Sequence, residues 1–73
     1  MKLNVDINYL PGDIVQFDNA EYTIKSVGVE IYETKEMGIC CFAWYDIEGE
    51  NYMPHIPEEL LTLVKSTSKY RPL

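Results

Sequence analysis

Positive charge is scarce through most of this chain. Six Lys and Arg stand against 12 Asp and Glu, for a net charge of −6. Lys65, Lys69 and Arg71 all follow the last acid, Glu59, so residues 1–64 hold only Lys2, Lys25 and Lys35 as cations. A surface of that sign repels phosphate backbones, whose neutralisation supplies most non-specific nucleic-acid affinity. Binding of DNA or RNA by the body of the chain is therefore not expected. Cysteine is nearly absent too: Cys40 and Cys41 are the only pair, and they are adjacent. Neighbours on a strand point to opposite faces, so they do not readily chelate one metal, and a disulfide between them is strained. They read as small apolar thiols, buried and reduced in a cytoplasm. His55 is the single histidine, and no spacing sets a nucleophile against it. There is no Gly-rich phosphate cradle. A non-catalytic protein without cofactor or metal is the expectation. Asp46, Glu48 and Glu50 alternate around a turn but lack the Asp/Asn-Gly framework of a calcium loop, and read as solvated. No apolar run approaches the roughly 20 residues of a membrane span. The opening Met-Lys-Leu-Asn-Val-Asp is too polar for the apolar centre of a signal peptide, so the expected location is the cytoplasm.

What is present suits one small globular domain. Hydrophobic residues make up 47% and aromatic residues 12% of 73 positions, enough for a limited core. The central stretch is Gly38 to Gly49, which holds the only Trp and a continuous apolar run from Ile39 to Tyr45. It reads as a strand covered on both faces. Phe42 and Trp44 are expected to point into the core as its largest apolar groups, with Ile39, Cys41, Ala43, Tyr45 and Ile47 on the other face.

Around it the signals are those of short strands and tight turns. Leu3, Val5 and Ile7 alternate with polar residues as a half-buried strand would. Pro11-Gly12 is a turn, Asp13–Phe17 a strand, and Asp18-Asn19 a tight hairpin turn into Ala20–Val27. Gly28 permits a bend or bulge, and the strand continues past it to a turn at Lys35–Gly38. Tyr52–Ile56 contains Pro54, which cannot donate to a ladder and so marks an edge strand. Ile56–Leu61 reads as one helical turn, with acids near its positive end and Leu60 and Leu61 docking on the core. Thr62–Val64 is the last strand. Five to six short antiparallel strands with one 3-10 turn before the last give an all-β, SH3-like barrel over residues 1–65. An OB-type barrel is the other architecture weighed, and it needs a longer chain. Residues 66–73 are expected to form a flexible basic tail.

Several of these pieces resemble a family. Pro11-Gly12-Asp13-Ile14-Val15, Tyr22-Thr23-Ile24, Phe42-Ala43-Trp44-Tyr45-Asp46 and Ile56-Pro57-Glu58-Glu59-Leu60-Leu61 resemble, in order and spacing, the small bacterial YodC-like proteins. The hairpin at Asp18–Glu21 and the stretch Val29–Met37 depart from that pattern. The resemblance spans about residues 11–64. It implies an SH3-like fold and a small bacterial or mobile-element accessory protein, and carries over no catalytic residue.

The aromatic set supplies the functional expectation. Six Tyr, two Phe and one Trp are more rings than a barrel of this size holds. Tyr32, Tyr45 and Tyr52, rimmed by Asp46 and Glu48, are expected to form an exposed patch of the kind that recognises proteins. The expected partner is a protein or a basic or Pro-rich peptide, or a second copy, met through this patch or through edge pairing by Leu3–Ile7. The alternative is a nucleic-acid- or ribosome-associated barrel that uses Lys65, Lys69 and Arg71.

Overall fold

The computed structural model describes residues 7–70. Five strands run through them: β1 Ile14–Phe17, β2 Ala20–Thr34, β3 Gly38–Glu48, β4 Tyr52–Pro57 and β5 Thr62–Lys65. A 3-10 turn, Glu58–Leu60, precedes β5. All pairings are antiparallel in one sheet of order β4-β3-β2-β1-β5. This is the all-β, SH3-like arrangement that the sequence implied. The strand expected over Leu3–Ile7 falls mostly on residues 1–6, outside the described residues; Ile7 itself is exposed and in no strand.

Local chemistry accounts for the turns. Asp18 and Asn19 have φ of 49° and 65°, the left-handed pair that a two-residue hairpin needs to match the twist of its strands. Gly12, at φ 100°, makes the turn before β1, and a Cβ there would lie 3.2 Å from the Ser68 backbone. Asp13 is fully buried. Its carboxylate accepts the Leu10 N–H through Oδ2 and the Ser68 N–H through Oδ1, both at 3.0 Å. The Thr67 hydroxyl donates to the Gly12 carbonyl. The tail expected to be free from Ser66 is thus tied to the body at Thr67 and Ser68.

The core consists of Val15, Ile24, Ala43, Tyr45, Ile47, Ile56 and Leu61. This reverses the expected facing of β3. Tyr45 has no exposed surface, whereas Phe42 is 44% exposed, and Trp44 lies on Phe42's side of the strand. The reason is the company each row keeps. Phe42 and Trp44 share their face with Asp46 and Glu48, while every residue of the Ile39–Ile47 row is apolar or a tyrosine. Burying the first row would strand two carboxylates. Burying the second costs little, because the Tyr45 hydroxyl accepts the Tyr9 N–H at 3.4 Å and its ring packs on Tyr9 with centroids 5.4 Å apart. Leu61 docks as expected; Leu60 is exposed. The bulge is at Lys25, between Ile24 and Ser26, and not at Gly28. A second bulge sets Pro54 and His55 of β4, which lies at the sheet edge, against the single residue Asp46.

Candidate functional site

The two bulges flank Asp46 and build a cleft on the outer face of β2 and β3. Its floor is the ladder pair Gly28–Trp44. Gly28 carries no side chain, and a Cβ there would meet nothing within 4 Å, so the space above Gly28 is open next to the half-buried Trp44. The cleft measures about 190 Å³ and is lined by Ser26, Val27, Gly28, Val29, Glu30, Trp44, Asp46 and His55.

Asp46 orders this region. Its Oδ2 accepts the Ser26 hydroxyl at 2.5 Å and its Oδ1 accepts the His55 N–H at 3.0 Å. The second bond replaces a ladder bond lost at the β4 bulge. It holds His55 at φ 61°, in the left-handed region that few non-glycine residues visit and that His tolerates better than most. From there the imidazole lies over the indole, with ring centroids 5.1 Å apart, and its Nε2 meets Glu30 Oε1 at 2.8 Å. The Trp44 Nε1 is shut off from solvent with no partner in hydrogen-bond geometry. Glu30's carboxylate is still close enough for the indole N–H to help hold its pKa down.

Both acids are held in their charged form. The bond from His55 is the main cause of Glu30's depressed pKa. The Ser26 hydroxyl, then the His55 backbone N–H, depress that of Asp46. Tyr52 is pushed up, by lost solvation first and then by the Asp46 and Glu48 charges. No Lys or Arg lines the cleft. Among the described residues no group of three His, Cys, Asp or Glu could hold a metal ion.

The expected patch is partly assembled. Asp46, Glu48 and Tyr52 do come together, since Glu48 and Tyr52 are ladder partners and Tyr52 lies against Asp46. Glu48 also pairs with Lys25 at 3.5 Å. Tyr32 is exposed on the same face but farther along the hairpin, stacked on Phe42 at 5.3 Å. Tyr45 is not part of any surface: it faces the core. Sequence reasoning missed Trp44, Glu30 and His55. Spacing alone could have found the first, since Trp44 alternates with Asp46 and Glu48. Cys40 and Cys41 are both free and half-buried, not buried.

No family model, curated protein or solved structure matches this chain. No helix among the described residues is long and apolar enough to cross a membrane.

Proposed function

We propose that this protein is a non-catalytic binding module that takes a cationic side chain, Lys or Arg, of a protein partner into the cleft at Trp44. The observation that carries this reading is a cleft lined by the half-buried Trp44 indole beside two ionised carboxylates, with no Lys or Arg of the chain lining it. A guanidinium or ammonium within about 6 Å of an indole gains from the ring quadrupole, and a carboxylate beside it supplies a charge-assisted hydrogen bond. His55 already makes both contacts on a small scale, ring against Trp44 and nitrogen against Glu30. A partner's guanidinium, permanently charged and richer in donors, is a stronger occupant of the same two contacts. The exposed Tyr52 and Glu48 extend the surface for neighbouring residues of the partner. A cytoplasmic, bacterial setting and kinship with YodC-like proteins belong to the same proposal. The shared motifs fall on β1, β2, β3 and the 3-10 turn; of these, the β3 motif supplies Trp44 and Asp46 to the cleft.

Trp44 is the only tryptophan, so its emission reports on the cleft directly. Titration with Arg- and Lys-rich peptides at low salt should shift that emission saturably, and Glu30→Gln or Asp46→Asn should weaken the response at least tenfold. Unchanged emission with both peptide classes would refute the reading. Low-salt retention on RNA that depends on Lys65 and Lys69 would instead favour the nucleic-acid alternative.

A further inference from the structure

The hairpin of β2 and β3 outruns the rest of the sheet. Its ladder extends from Thr23–Glu48 to Thr34–Gly38. β1 pairs with β2 only as far as Thr23, and β4 pairs with β3 only from Trp44 onward. Among the described residues, the distal hairpin therefore has two unpaired edges. It also has two apolar faces. On the core side Val29, Ile31 and Ile39 continue the buried row but are 43%, 56% and 40% exposed. On the outer side Tyr32 stacks on Phe42, and both are exposed. A bare two-stranded ribbon is marginal in water, and a third or fourth strand with an apolar face stabilises it.

The open edges differ in how they are guarded. Natural sheets blunt free edges with charge, proline, bulges or shortness. β4 has Pro54 and a bulge, β5 is four residues long and ends in Lys65, and the free edge of β2 carries Glu30 and Glu33. The free edge of β3, Gly38-Ile39-Cys40-Cys41-Phe42, has no charge, no proline and no bulge. It is the one unguarded edge among these strands.

We infer that a second copy of this chain pairs antiparallel with the free edge of β3, giving a four-stranded ribbon β2-β3-β3-β2 across a two-fold axis. A second copy fits because the edge is uncharged and the same surface serves both sides of an isologous contact. Apolar rows on each face then continue from one copy into the other: Ile31, Cys41 and Ile39 on one, Tyr32, Cys40 and Phe42 on the other. Side chains directly opposite in such a pair share a face, so the axis falls on a residue. The middle of Gly38–Phe42 is Cys40, which puts Cys40 of the two copies opposite each other, with Cβ atoms about 5 Å apart. Cys41 then faces Ile39, and Glu30 and Glu33 stay at the outer margins of the ribbon.

The test uses the whole chain with one thiol at a time. Sedimentation at tens to hundreds of micromolar should give twice the 8.5 kDa chain mass. A short bismaleimide should join Cys41→Ser copies, which keep Cys40, faster than Cys40→Ser copies. Ile39→Lys and Phe42→Lys each alter an exposed side chain, so circular dichroism should stay native while the mass falls to that of one chain and cross-linking drops at least tenfold. A strict monomer across the range overturns the inference. So does a dimer that survives both lysine variants with undiminished cross-linking. Glu30→Gln, which impairs the cleft, should leave the dimer intact, so the two proposals fail separately.

Discussion

Asp46 is the residue on which the outer face turns. Its two oxygens hold Ser26 and the His55 backbone, and through His55 it sets the imidazole on Trp44 and Glu30. An Asn keeps the shape and one acceptor but loses the charge. Asp46→Asn should cost about 1 kcal/mol of stability, the usual worth of one such bond, read as a lower urea midpoint. The pH dependence follows from the sign of the shifts. Asp46 and Glu30 have depressed pKa values in the fold, so their contribution is full at neutral pH and is lost as pH falls through the folded-state values. The melting temperature should therefore drop below about pH 4. That drop should be smaller in Asp46→Asn combined with Glu30→Gln, whereas equal drops in variant and parent would assign the acid sensitivity elsewhere.

The elements show what could be read from the sequence and what could not. Turn chemistry was legible, because Asp18-Asn19 and Pro11-Gly12 impose backbone angles that few residues tolerate, whatever surrounds them. The edge position of β4 was legible from Pro54 for the same reason: a missing donor is a local fact. The facing of β3 was misread because ring size was weighed above the charges sharing the row. Trp44 is larger than Tyr45 and Phe42 is more apolar, but Asp46 and Glu48 travel with them, and a buried carboxylate costs more than a partly exposed indole. The cleft was not legible in full, since it depends on bulges at Lys25 and at Pro54-His55, and a bulge is set by pairing between strands. Two substitutions examine this packing. Tyr45→Ala should cost about 3–5 kcal/mol, as emptying a ring-sized core site does; Tyr45→Phe, which leaves the ring and drops one long hydrogen bond, should cost about 1 kcal/mol or less. Asp13→Ala removes the acceptor of two backbone N–H groups and should cost about 2–3 kcal/mol by urea denaturation, with Asp13→Asn intermediate. A value near zero for Asp13→Ala would mean that the turn is held by Gly12 and Thr67 alone.

For the molecule as a whole, the two surfaces differ in charge: carboxylates stand at the Trp44 cleft near the base of the hairpin, and the free β3 edge beyond it, Gly38–Phe42, is uncharged, with Glu33, Lys35 and Glu36 confined to β2 and the turn. Salt should act on the two ends in opposite ways. Capture of a basic peptide at the cleft should weaken as sodium chloride rises from 50 to 500 mM, because exposed charge attraction is screened. Self-association through the β3 edge should hold or strengthen, most clearly in sulfate, which favours apolar burial. Parallel weakening of both would mean that charge, and not apolar contact, joins the copies.

The clasp between the two ends of the domain has a kinetic consequence. Val15 pairs with Leu63, and the Thr67 hydroxyl reaches back 55 positions to Gly12, whereas β1 to β4 are joined by local hairpins. On a translating ribosome those hairpins can form as they emerge, since short loops close at little entropic cost. β1 then waits with one bare side until Ser68 has cleared the exit tunnel. During that interval the nascent chain presents Val15 and the Gly12 turn uncovered, and a chaperone acting on this protein would find its foothold there.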